Sequence, residues 1–199
     1  MVDIDMRLMN VTFDQTCIID IEKNNQYADP LRELIRMHER QEINLRVVAI
    51  SASELKPDHT YSSNFDEFKK RIALIGLEKA VILPALGRWD LTFWNHSVYS
   101  GRWLKELENE IHRILFPNET EYSDFCKIHH LKETNKDALK KWVRRKCDVL
   151  ALWSHIMYNG DIFVTRDKIY SREPNKQKLI RLGARKILEP DQAIKMLDC

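Results

Sequence analysis

Apolar positions along the chain fall into two patterns. Short continuous blocks occur at Cys17-Ile18-Ile19, at Leu45 to Ile50 (LRVVAI) and at Ile162-Phe163-Val164. Their length and β-branched or aromatic content fit buried strands of a parallel sheet. Elsewhere apolar residues recur at spacings of three and four, as on one face of a helix. Such stripes run over 29–40 (Leu31, Leu34, Ile35, Met37), 64–75 (Phe65, Phe68, Ile72, Ile75) and 102–116 (Leu104, Leu107, Ile111, Ile114, Leu115). Shorter helices are expected over 121–130, 137–146, 175–182 and 190–197. Asp148 is expected to open a further helix, with Leu152, His155 and Ile156 on its apolar face and Asn159-Gly160 as the turn that ends it. Asp29 with Pro30 has the chemistry of a helix start, and Gly76 and Gly183 that of helix stops. Residues 80–86 read as an edge strand or connector, because Pro84 cannot donate to a central ladder. A last strand is expected at Lys186-Ile187-Leu188.

Strands alternating with helices predict an α/β fold with a central, mainly parallel sheet between helical layers. The chain of 199 residues suffices for one domain with a good core. The expected core is about 11–55 with 137–197, and 56–136 is expected as a mainly helical insertion.

Composition narrows the class. With 44% apolar and 31% charged residues, and no apolar run near the roughly 18 residues of a membrane span, a soluble protein is expected. The N-terminus MVDIDMRLMN carries acids early and lacks the apolar core of a secretory signal. Cys17, Cys126, Cys147 and Cys199 lack paired spacing, which suits free thiols in a reducing cytoplasm. A net charge of +2 confines any nucleic-acid binding to local patches. Five glycines, with no Walker loop and no G-x-G-x-x-G, argue against a nucleotide cofactor and a phosphotransferase. Cys126 with His129-His130 lacks the second ligand pair of a zinc site.

The candidate chemistry is carboxylate. The block at 17–19 ends on Asp20, the block at 45–50 is followed by Ser51-Ala52-Ser53-Glu54, and the block at 162–164 is followed by Thr165-Arg166-Asp167. Open α/β sheets carry their sites at the carboxyl ends of their strands. Asp161 precedes its strand and belongs to the opposite rim. Each acid also has an ordinary reading: a strand-end turn for Asp20, a cap for Asp148, a solvated surface acid for Glu54, a turn residue or partner of Arg166 for Asp167.

Asp148 to Lys168 (D-x-x-x-A, then G-D-I-F-V-T-R-D-K), with Leu182-Gly183, Ile187 to Pro190, the I-I-D ending at Asp20 and the segment ending at Glu54, resembles the PIN-domain proteins. These are the Mg²⁺- or Mn²⁺-dependent ribonucleases of toxin–antitoxin systems and RNA processing. The resemblance covers roughly 11–55 and 137–195. It implies a three-layer α/β/α fold, RNA as substrate, and a carboxylate pocket holding Mg²⁺ or Mn²⁺. It also implies Asp20 and Asp148 as direct metal ligands, with Asp167 and Glu54 completing the site directly or through water. Thr165 would bond a carboxylate or position the water, and Asn24 is a weaker rim candidate. An antitoxin, another protein partner or a homodimer stays open.

The chemistry is coherent. Two divalent ions about 4 Å apart can activate a water and neutralise the leaving oxygen in phosphodiester hydrolysis. Both ions prefer hard oxygen ligands. Crowded carboxylates repel one another until a cation arrives, so crowding of this kind points to function. Lys140, Lys141, Arg144, Arg145 and Lys146 on a helix, with Arg166, would supply phosphate contacts; an ordinary solvated helix face is the other reading. His155 reads as a core or pocket-wall residue. The aromatic segment 87–101, with Trp89 and Trp94, suits base stacking or a hydrophobic plug. The alternatives are a PIN-like RNA- or protein-binding module without catalysis and a flap-type nuclease, which would carry more acids.

Overall fold

The structure is a computed structural model that describes residues 7–54, 60, 62, 64–88, 91–93, 96–98 and 102–198. Strand β1 (Met9–Phe13) runs through the centre of the sheet and is buried from Asn10 onward. Helix α1 (Gln15–Glu22) follows at once, because Asp14 caps it by accepting the Cys17 backbone N–H. Here the sequence expectation is corrected. Cys17-Ile18-Ile19 is helical, the strand lies upstream, and the acid at the strand end is Asp14 rather than Asp20. Three consecutive apolar residues fit either period. The cap and the buried stripe Cys17, Ile18 and Ile21 decide for helix.

Helix α2 (Ala28–Glu39) starts one residue before Asp29, which sits in its first turn. Strand β2 (Ile43–Val48) passes into a 3-10 segment, Ala49–Ser53, that ends at Glu54. Helix α3 (Phe65–Ala73) is capped by the Asn64 side chain, and Gly76 follows at φ +84°. Strands β3 (Val81–Leu83) and β4 (Ala85–Leu86) flank Pro84; β5 (Ser97–Val98) pairs with β4 in a small second sheet. Helices α4 (Arg102–Leu115) and α5 (Tyr122–Ile128) lead to α6 (Lys136–Met157). After β6 (Ile162–Val164) come α7 (Lys168–Ser171), α8 (Asn175–Leu179), a π turn to Ala184, β7 (Lys186–Leu188) and α9 (Pro190–Leu197).

Helix α6 is the second correction. The segments expected at 137–146 and from Asp148 onward are one helix, started by the Asn135 side chain, and Asp148 lies inside it. No Gly or Pro interrupts this stretch, and one Asp in a helix interior costs only a few tenths of a kcal/mol, roughly.

The main sheet has the order β3-β2-β1-β6-β7, and every pair is parallel. Phe13 stands between Val47 and Val164 in register. Alternation along β6 builds two cores. Ile162 and Val164 join Leu31, Leu34, Phe68 and Ala193 on the face covered by α1, α2, α3 and α9. Phe163 joins Ile111, Leu150, Trp153 and Leu179 on the face of α4, α6 and α8. The fold is therefore α/β with three layers. The expected division at residue 56 does not hold, because α3 fills the first core and β3 pairs with β2. Among the described residues no helix is long and apolar enough to cross a membrane.

This strand order places a topological switch point between β1 and β6. The chain leaves β1 toward β2 on one side and leaves β6 toward β7 on the other, and α/β sheets open a crevice at such a point.

Candidate active site at the carboxyl rim

Four carboxylates are gathered at that crevice: Asp14 after β1, Glu54 after β2, Asp167 after β6, and Asp148 from α6. Asp14 is 4% exposed. One of its oxygens accepts from the Thr16 hydroxyl at 2.6 Å and from the Cys17 N–H at 3.2 Å, and the other accepts from the Thr165 hydroxyl. Thr165 in turn accepts the Asp167 backbone N–H at 3.0 Å. One threonine thus ties the ends of β1 and β6 together. Asp167 caps α7 through an oxygen that accepts from the Ile169 N–H at 2.9 Å. The buried Tyr170 hydroxyl donates to the Asp148 backbone carbonyl at 2.9 Å, which fastens α7 to α6.

The electrostatics mark these residues as a group. Burial raises the Asp14 carboxyl, against the bonds from Thr16, Thr165 and Cys17. Glu54 and Asp148 are part-exposed as residues, but protein surrounds their carboxyl groups. Burial, then the charges of Asp148, Asp14 and Asp167, push Glu54 well above the usual carboxylate range, with Arg71 opposing. Burial, then Asp167 and Asp14, push Asp148 well up against the pull of Arg145 and Arg144. The Tyr170 phenol is raised by burial and by all four acids. Acids that raise one another's proton affinity lack enough cation to balance them.

No protein-family model matches the chain, and no curated protein matches it.

Asp20 stands apart. It lies on α1, 1% exposed, where the Arg166 guanidinium takes both of its oxygens and Asn25 Nδ2 donates to one at 2.6 Å. Arg166 lies 4.2 Å over the Tyr27 ring. Both carboxylate oxygens are thus committed to a neutralising pair, and Asp20 is not among the main charges that shift Glu54, Asp148 and Tyr170. Asn24 sits in the turn after α1 at φ +48° and lines a separate surface cavity with Glu22, Arg32 and Arg36.

Of the six expected phosphate-binding cations, four are engaged, and two are exposed without such partners among the described residues. Lys140 lies 3.4 Å from Asp137, Arg145 pairs with Glu119 while stacked between Phe116 and Phe125, and Arg166 holds Asp20. Lys141 and Arg144 are exposed, and the Arg144 charge reaches Asp148. Lys146 turns inward to Glu108 at 3.3 Å. His155 is a core residue: its Nδ1 accepts from Thr12 at 2.9 Å, its Nε2 donates to the Ala184 carbonyl at 3.1 Å, and burial holds its pKa at about 4. Trp89 and Trp94 lie outside the described residues.

As a metal site the arrangement is mixed. Carboxylate oxygens are the donors Mg²⁺ and Mn²⁺ prefer, and the raised proton affinities show unmet demand for positive charge. Yet among the described residues no three His, Cys, Asp or Glu side chains are grouped closely enough to hold an ion.

Sequence reasoning missed Asp14. Its signal was present: an acid directly after the alternating strand MNVTF and directly before a helical stripe, the position of a cap at a strand's carboxyl end.

Proposed function

We propose that the chain is a Mg²⁺- or Mn²⁺-dependent ribonuclease that hydrolyses RNA phosphodiester bonds at Asp14, Glu54, Asp148 and Asp167. The observation that carries this reading is the raised proton affinity of Asp14, Glu54 and Asp148, gathered with Asp167 at the sheet's switch point. The PIN-like stretch from Asp148 to Lys168 supports it, with Asp14 in the role that the resemblance assigned to Asp20. When bound, the ion supplies an activated water and charge neutralisation at the phosphate. The chain's own residues set the stage: Thr165 orients Asp14, Tyr170 locks α7 onto α6, and Arg144 and Lys141 stand ready for phosphate oxygens. Buried free thiols at Cys17, Cys126 and Cys147 suit a cytoplasmic setting.

A second reading has its own support. Both Asp14 oxygens already accept hydrogen bonds, and no three acids converge on one point among the described residues. These facts favour a PIN-like RNA- or protein-binding module without catalysis. One assay separates the two. Labelled single-stranded RNA is incubated with Mn²⁺, Mg²⁺ or EDTA and either wild type or Asp148→Asn. Metal-dependent cleavage lost in Asp148→Asn is the expected result. RNA binding by folded wild type without cleavage in either metal establishes the binding module instead.

A further inference from the structure

Beside the acid cluster lies a cavity of about 430 Å³ that the proposed chemistry does not use. Ser53, the residue before Glu54, lines one side, and its hydroxyl donates to the Leu91 carbonyl at 2.5 Å, closing the loop over the 3-10 segment. Phe93 forms a second wall and packs edge-on against Phe65, with ring centres 5.6 Å apart. Leu139, Lys140 and Val143 supply the third wall from α6, and Leu139 is 49% exposed. Ser62 contributes a hydroxyl that is buried yet has no hydrogen-bond partner among the described residues. An unsatisfied buried hydroxyl in a mostly apolar cavity needs an explanation, and a ligand's polar edge is a direct one.

We infer that this cavity is a subsite for one nucleobase of a single-stranded RNA whose backbone runs along α6 toward the acid cluster. The inference rests on the ribonuclease reading and deepens it. Three features fix the occupant. The walls are mostly apolar and include one aromatic ring, Phe93, on which a base can stack. The Ser62 hydroxyl can donate to or accept from a base edge. The rim is cationic: Lys140 borders the cavity, Lys141 follows it, and Arg144 stands between Val143 and Asp148, one helical turn from the acid. Phosphate contacts along this rim position the strand, while the cavity takes a base beside the cleaved bond.

The test is fluorescence anisotropy in EDTA with a labelled single-stranded RNA hexamer and with an abasic strand of the same length. Leu139→Gln keeps a neutral side chain at an exposed helical position, and Ser62→Ala removes the free hydroxyl. Both variants should bind the RNA about tenfold and severalfold more weakly, respectively, while the abasic strand binds them as it binds wild type. Lys141→Gln, outside the cavity, should weaken both strands alike. Unchanged RNA affinity in Leu139→Gln, or abasic strand bound by wild type as tightly as RNA, overturns the subsite. Metal-dependent cleavage by wild type combined with either result overturns the subsite alone. A base-dependent loss in Leu139→Gln without cleavage in any metal overturns the nuclease reading and keeps the subsite.

Discussion

The two rims of the sheet treat carboxylates in opposite ways. At the amino rim Asp161 accepts the Asn10 backbone N–H at 2.8 Å, and both of its oxygens lie 2.8 Å from Arg7; Arg185 pairs with it as well. Although burial works the other way, the Asn10 bond and the two guanidinium groups hold its pKa below the ordinary value. Around it Asn10, Asn44, Arg46 and the Asn159 and Tyr158 carbonyls close a polar network. At the carboxyl rim four acids lie close together; burial raises the proton affinity of Asp14, and burial with neighbouring acids raises those of Glu54 and Asp148. One rim uses charge to hold strands in place; the other sets like charges against stability. A fold that can neutralise an acid fully at one end has no structural reason to crowd four at the other, so the crowding points to a ligand that arrives with positive charge.

Substitutions at the two rims should therefore part company. The largest effect is expected in cleavage. Asp14→Asn should lower metal-dependent RNA cleavage at least ~100-fold, about 2.7 kcal/mol of barrier. Asp20→Asn should leave cleavage by the folded protein at the wild-type level while lowering its melting temperature. Steady-state rates on a labelled RNA, with circular dichroism as the folding check, decide between the two acids; equal losses would return Asp20 to the site. Next in size, Asp161→Ala should destabilise the fold by about 2 kcal/mol, since charge-assisted bonds from a backbone N–H and two arginines are lost. Urea denaturation measures it, and a change within about 0.5 kcal/mol, ordinary for surface positions, would deny the amino rim its structural role.

How much of this was legible beforehand follows from what each residue's neighbours in sequence could reveal. The parallel sheet was legible because its strands and helices carry different apolar periods, and β2, β6 and β7 fell where the blocks lie. Asp148 and Asp167 were nameable from the stretch that contains them, though not Asp148's place within a long helix. The Asp14–Asp20 exchange was not legible from Cys17-Ile18-Ile19 alone, since a three-residue block fixes no period. Arg166 next to Asp167 looked like a phosphate ligand, and only the packing of α1 against the end of β6 reveals its pairing with Asp20. The Asp14–Thr165 bond joins residues 151 apart in the chain and leaves no trace in local sequence.

The smallest predicted effect is the most direct probe of the crowding itself. Because the folded-state pKa values of Asp14, Glu54 and Asp148 lie above their unfolded values, near 4, the cluster costs least at low pH. Its cost grows as pH rises through the folded values, so stability falls in that direction. Two buried histidines run against this. His112 and His155 are held at about 4, below the ordinary ~6.5, chiefly by burial. Their contribution is fully present above about pH 6.5 and is lost as pH falls toward 4. The two opposing slopes overlap between about 4 and 6.5, whereas from about 6.5 to 8, below the range in which the buried Cys17 and Cys147 thiols contribute, the histidines are silent and any remaining decline belongs to the acids. Asp148→Asn should therefore stabilise the metal-free protein by about 1 kcal/mol at pH 8, a typical gain when a functional site is relieved. It should also flatten the melting-temperature profile from about pH 6.5 to 8, whereas Asp161→Ala should shift that profile down without changing its slope. A wild-type profile that is already flat in this range, unchanged by Asp148→Asn, would mean that the four acids do not burden one another, and the case for a cation-seeking site at this rim would fall with it.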